Sequence, residues 1–182
     1  AAQHTAAAGR QGKPVMSVVQ NFFNTYAEAR EKFFAAAAAA GASMRSYKNP
    51  TRGPDGGRLF TDVARLGPRD ASKMLVLTSA THGVEGFCGS GAQISFLRSG
   101  KANKLPPDTG LLIIHAVNPH GFAWIRRVNE DNVDLNRNFV DHSKAHPKND
   151  GYEEIAAAIK PRKWDDTSLA EAQKVLDSYT QK

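Results

Sequence analysis

The run Thr81-His82-Gly83-Val84-Glu85-Gly86 sets an imidazole and a carboxylate three residues apart, each followed by a glycine. A turn of that kind aims both side chains at one ion. Neutral imidazole and carboxylate suit zinc, and a catalytic zinc takes three protein ligands and keeps one position for water. The same pair also suits a capped turn in which His82 and Glu85 bond the backbone. A second run extends from Asn118-Pro119-His120-Gly121 through Arg126 and Arg127 to Val133-Asp134-Leu135-Asn136-Arg137-Asn138-Phe139 and carries three arginines. Arginine is the side chain fitted to bidentate carboxylate recognition and to stabilising a developing oxyanion. The alternative is an exposed basic loop neutralised by Glu130, Asp131 and Asp134. A metal beside two such arginines makes a hydrolytic site.

Both runs follow compact apolar segments. Lys73 to Ser79 reads as a strand buried on both faces, Leu111 to Val117 repeats that signal, and Gly86 to Leu97 between them has helical composition. Buried strands alternating with helices predict an α/β fold with a mixed, largely parallel sheet flanked by helices, whose ligand site lies beyond the carboxyl ends of the strands. Upstream, Ser17 and Gln20 have the form of a capping box. Val18, Val19, Phe22, Phe23, Tyr26, Phe33 and Phe34 then recur at helical spacing, which predicts one amphipathic helix running to Gly41. Met44 to Tyr47 and Leu59 to Val63, separated by turn-rich residues 49–57, read as a strand pair. Residues 1–15 read as a flexible tail before a domain over 16–182. After Phe139 the chain turns polar, and Tyr152 to Ile159 and Leu169 to Tyr179 read as helices joined by a linker.

The composition is that of one ordinary globular domain, 41% hydrophobic and 23% charged over 182 residues. The apolar runs fall far short of the roughly 20 residues that cross a bilayer, so no membrane association is expected. A single cysteine, Cys88, excludes an internal disulfide framework and a cysteine-rich zinc module, and it is compatible with the cytoplasm. The net charge of +6 is scattered and no basic run is interleaved with aromatics. That argues against nucleic acid and for small carboxylate-bearing ligands.

Taken together and in order, His82-x-x-Glu85, Asn118-Pro119-x-Gly121, Arg127 and Val133-Asp134-Leu135-Asn136-Arg137-Asn138-Phe139 resemble the zinc carboxypeptidase family, near its succinylglutamate desuccinylase and aspartoacylase group. The richer wording His82-Gly83-Val84-Glu85-Gly86-Phe87-Cys88-Gly89-Ser90-Gly91 and Gly121-Phe122-Ala123-Trp124 is most similar to a bacterial branch of unknown function. The resemblance covers roughly residues 17 to 160. It implies that His82 and Glu85 bind zinc, that Arg127 polarises the scissile carbonyl, with Arg126 as the alternative, and that Asn136 and Arg137 hold a substrate carboxylate. His120 stands where the family has aspartate and receives no role. Substrates would be small peptides or N-acyl amino acids.

The family's third metal ligand and general-base glutamate, both further downstream, have no counterpart here. His142 and His146 have a metal-pair spacing, but Pro147 argues against the helix that would align them. The expectation is therefore the amino-terminal half of a catalytic domain, with an apolar sheet edge that pairs with a companion chain or with itself. The other readings are a non-catalytic carboxylate-binding module and a structural fragment. The absence of Gly-x-Ser-x-Gly argues against a serine hydrolase.

Overall fold

The structure, a computed structural model, describes residues 18–181, so the expected tail over 1–15 and the first half of the expected Ser17–Gln20 capping box lie outside the described residues. The chain divides into two compact units between Phe139 and Val140.

In the first unit, a short 3-10 turn, Val18–Asn21, precedes helix α1 (Tyr26–Ala39). The helix starts later than its apolar spacing predicts because Thr25 and Glu28 form its cap. The Thr25 side chain accepts the Glu28 N–H at 3.2 Å, and Glu28 accepts the Asn24 N–H at 3.3 Å. The helix ends as predicted at Gly41, with φ +78°. There the Gly41 N–H reaches the Ala38 carbonyl and the Ala42 N–H reaches that of Ala37, both bonds of a Schellman motif.

Strands β1 (Ser43–Arg52) and β2 (Arg58–Leu66) are the expected pair, antiparallel and longer than predicted. Strand β3 (Lys73–Thr78), helix α2 (Gly86–Arg98) and strand β4 (Thr109–His115) form a parallel crossover, and the sheet order is β1-β2-β4-β3. The α/β class and the mixed sheet are as expected. The antiparallel pairings β1–β2 and β2–β4 nevertheless outnumber the single parallel one, β3–β4.

Helices α1 and α2 cover one face of this sheet. Phe33, Ala36 and Ala37 pack with Ile94 and Leu97 on Ala64, Leu66, Leu111 and Ile113. Full burial of each large side chain in such a set contributes about 1.5–3 kcal/mol. Two residues of the alanine run are thus core. The buried Asp62 on this face is held by Arg30, at 2.6 and 3.0 Å, and by the Ser46 hydroxyl at 2.6 Å. Its cross-strand neighbour His115 is stacked 4.4 Å from Phe33 and lies 2.9 Å from the Ser90 hydroxyl.

Strand β3 does not behave as predicted. It is an edge strand, and Met74, Leu75 and Val76 are 45%, 38% and 48% exposed. An apolar run reports the side chains a strand offers for burial and does not report whether anything covers them.

The second unit contains α4 (Asp150–Ile159) and α5 (Asp166–Thr180), close to the two predicted helices. Asn149 and Asp165 cap them, accepting the N–H groups of Tyr152 and Ser168. His142 and His146 lie before α4 outside any helix, their rings edge to face at 5.8 Å. No described helix is long and apolar enough to cross a membrane.

Candidate metal and carboxylate site

The parallel ends of β3 and β4 deliver both chemical runs to one edge of the sheet. The Val117 and Asn118 N–H groups donate to the carbonyls of Ser79 and Ala80 at 3.0 and 2.9 Å, so the loops leave side by side. Each strand is followed by a buried alanine in the left-handed region, Ala80 at φ +57° and Ala116 at +58°. These turns swing the chain toward His82 and toward Asn118.

Glycine fixes the spacing between the loops. A Cβ on Gly83 would lie 1.9 Å from the Gly121 carbonyl carbon, and one on Gly121 would lie 2.7 and 2.8 Å from the Val128 and Arg126 carbonyl oxygens. Only bare backbone fits at either position. This contact lets the Gly83 and Val84 N–H groups donate to the carbonyls of Arg127 and Arg126, at 3.3 and 3.2 Å. Asn118, almost wholly buried, locks the second loop. It accepts the Gly121 N–H at 2.8 Å as the cap of a short helix α3 (Pro119–Ala123), and its amide donates to the Arg127 carbonyl at 3.4 Å.

His82 is 7% exposed and lies between two carboxylates. Its Nδ1 is 3.1 Å from Glu85 Oε1, and its Nε2 is 2.9 Å from Asp134 Oδ1. Asp134 in turn accepts Arg127 Nε at 2.8 Å and, as the cap of the turn Leu135–Arg137, the Asn136 N–H at 3.0 Å. Partial burial opposes its ionisation, but hydrogen bonds from Arg127 and His82 outweigh that and hold the Asp134 carboxyl below the usual carboxylate range.

The structure thus sets His82 between Glu85 and Asp134 and brings Arg127 to Asp134. Asn136 and Arg137 are exposed on the adjoining turn, where the Arg137 guanidinium donates to the Asn136 carbonyl at 3.1 Å. Arg126 points elsewhere, to the Asn132 side chain at 2.8 Å. His120 sits 3.0 Å from the Thr51 hydroxyl and stacks on Trp124, whose indole N–H donates to the Arg52 carbonyl. Together with the Asn49–Glu130 bond, these contacts tie β1 to the arginine loop. Cys88 is exposed. Sequence reasoning overlooked Asp134 as the partner of His82. The clue was chemical: an imidazole that coordinates through one nitrogen needs an acceptor on the other.

These residues partly fit zinc. Two ligands each about 2.0–2.1 Å from a tetrahedral ion lie about 3.3 Å apart. The His82 and Glu85 donor atoms have nearly that separation, and Asp134 occupies the far side of the ring. Among the described residues, no group of three or more His, Cys, Asp or Glu side chains is gathered as a metal-binding cluster.

An α/β domain with its polar site at the ends of two parallel strands defines a class shared by many enzymes. More particularly, the chain belongs to the family described as protein of unknown function (DUF2817), which matches residues 22–182. A comparison with curated proteins gives no match. Among solved structures the chain is similar to the glutaminyl cyclase of Tannerella forsythia, with 16% identity over 63% of this chain and 47% of that one, at a TM-score of 0.38. It is also similar to a Zn-dependent exopeptidase from Parabacteroides distasonis, with 11% identity, 79% and 51% coverage, and a TM-score of 0.37. A third is the glutaminyl cyclase of Macrostomum lignano, with 15% identity, 53% and 35% coverage, and a TM-score of 0.39. The chain therefore spans 35% to 51% of the length of these three structures.

Proposed function

We propose that this chain carries the zinc-binding and carboxylate-binding part of an amide hydrolase that acts on small peptides or N-acyl amino acids. The observation that supports it is the position of His82. A neutral imidazole has one N–H and satisfies one carboxylate, yet His82 faces two. With Nε2–H donated to Asp134, the Nδ1 lone pair meets a Glu85 oxygen. That contact is repulsive until a cation stands between them. A doubly protonated ring would also satisfy both carboxylates, and metal binding distinguishes the two.

Zinc held there would supply a water molecule acidified toward neutrality and a Lewis acid for the carbonyl. Asp134 would keep His82 in the tautomer that leaves Nδ1 free, and would hold Arg127 through Nε so that its remaining N–H groups face the scissile carbonyl oxygen. Asn136 and Arg137 would bind the substrate carboxylate, setting the amide against Arg127. The third ligand and the base that takes the water's proton would come from polypeptide beyond the described residues, whether a continuation of this chain, a companion chain or a second copy, docked on the open edge of β3. The exposure of Met74, Leu75 and Val76 supports that placement.

The test is zinc competition against a chromophoric chelator. One zinc per assembled site, lost in His82→Ala and in Glu85→Ala, is expected. No zinc, or binding unchanged in His82→Ala, would overturn the reading. Hydrolysis of N-acetyl amino acids by the assembled protein should then fall far more in Arg127→Ala than in Arg126→Ala.

A further inference from the structure

Three helices of the first unit end in one geometry but not with one residue type. Helices α1 and α2 place Gly41 and Gly100 in the left-handed position, at φ +78° and +72°. Helix α3 makes the same Schellman bonds, with the Ile125 N–H toward the Phe122 carbonyl at 3.4 Å and the Arg126 N–H to that of Gly121 at 2.8 Å. Its left-handed residue is Ile125, at φ +53°. A β-branched side chain there is a genuine outlier. The usual reason to accept such strain is internal packing, and Ile125 does not supply it, being 65% exposed. Strain concentrated at a site and unused by the fold points to a ligand.

The side chain does line something. A cleft of about 280 Å³ is bounded by Ile125, Ala123, Phe87, Pro54 and Tyr26, together with Asp55, whose carboxylate is engaged by the Gly57 N–H at 2.8 Å. Its wall is rigid: Phe87 stands edge to face on the buried Phe122 at 4.8 Å. Two of its walls stand on the two bonded loops that carry the candidate site, Phe87 two residues beyond Glu85 and Ile125 two before Arg127.

We infer that this cleft receives a branched aliphatic group of the substrate, with Ile125 as the specificity-determining contact. The inference rests on the amide-hydrolase reading for the identity of the ligand. Glycine at 125 would be the better residue for the fold, and isoleucine is the better one for grasping an apolar group.

The test compares Ile125→Gly with wild type in two measurements. Thermal melts read the fold: relief of the left-handed strain should raise Tm by about 2–4 °C. Calorimetric titration of the zinc-supplemented chain reads the cleft, using N-acetylglycine, N-acetyl-L-leucine and N-isovalerylglycine. At least one branched probe should bind about tenfold more tightly than N-acetylglycine, revealing whether the acid or the acyl side enters. That preference should vanish in Ile125→Gly, and the bound probe should shift the Ile125 methyl resonances in the wild type. A lower Tm in Ile125→Gly would mean that the side chain serves the fold, and equal affinity for all three probes would mean that the cleft is not a subsite. Either overturns the inference and leaves the hydrolase reading standing. No binding of any probe in the wild type would remove the hydrolase reading and the inference with it.

Discussion

Acidification from pH 7 to pH 4.5 should destabilise this protein through His115. The ring is fully buried beneath α1, stacked on Phe33, with one nitrogen against Ser90 and Nδ1 without a hydrogen-bond partner among the described residues. Burial depresses its pKa from 6.5 to about 4. Asp62 pulls it back up, and Arg30 pushes it further down. A depressed histidine pKa contributes stability that is complete above the unfolded value and is lost as pH falls toward the folded value. Below pH 6.5 the unfolded chain takes up a proton that the folded chain refuses. At about 1.4 kcal/mol per pH unit, the loss between pH 6.5 and 4.5 comes to about 2–3 kcal/mol. Urea unfolding at the two pH values measures it, with His115→Gln as the non-titrating control. The variant should be less stable at pH 7 but should lose less on acidification, narrowing the gap between the two proteins. Parallel losses in both would refute the assignment to His115.

Asp134→Asn should weaken zinc binding about 10- to 100-fold, because the amide accepts from only one of the two groups that the carboxylate now serves. Chelator competition reads this, and unchanged affinity would sever Asp134 from the site. Gly83→Ala should cost more than about 3 kcal/mol, because its methyl group meets the backbone of Gly121. Gly56→Ala, at φ +77° with nothing within 4 Å, should cost only about 1 kcal/mol. Denaturant melts giving equal losses would contradict the close approach of the loops. Val76→Lys, at a position 48% exposed, should change stability by less than about 0.5 kcal/mol while suppressing association through β3. Sedimentation velocity of the two proteins, alone and with any co-purifying chain, checks that, and identical association would exclude β3 as the docking edge.

The sequence made the elements legible and left their exposure hidden. Helix α1 ends at Gly41 as its sequence says, because a Schellman glycine is a local signal. Its start lies later than the apolar spacing indicates, because Ser17–Gln20 and Thr25–Glu28 share one local pattern and the helix takes its cap from Thr25. Strand β3 has the composition of a central strand but lies at the edge, since coverage is a property of neighbours. At the site, residue types pointed to His82, Glu85 and an arginine, but two adjacent arginines were available. The bonds from Gly83 and Val84 to the second loop hold the backbone there, and the structure brings Arg127 to Asp134 while Arg126 reaches Asn132. Asp134 lies 52 positions from the ring it supports, a separation that no local pattern encodes.

The polar site therefore depends on features that contain no reactive group. His82 and Arg127 come from separate loops, and the carboxylate that joins them accepts from both at 2.9 and 2.8 Å. Those distances require the loop backbones to touch, and they touch because neither Gly83 nor Gly121 has a Cβ. The loops in turn begin from two strands held in parallel register, each followed by an alanine forced to positive φ. Strain in the turns, bare backbone at the contact and a shared carboxylate form one chain of dependence. A methyl group at Gly83 should thus impair metal binding although it touches no ligand, whereas a substitution on the open face of β3 should leave His82 and Asp134 where they are.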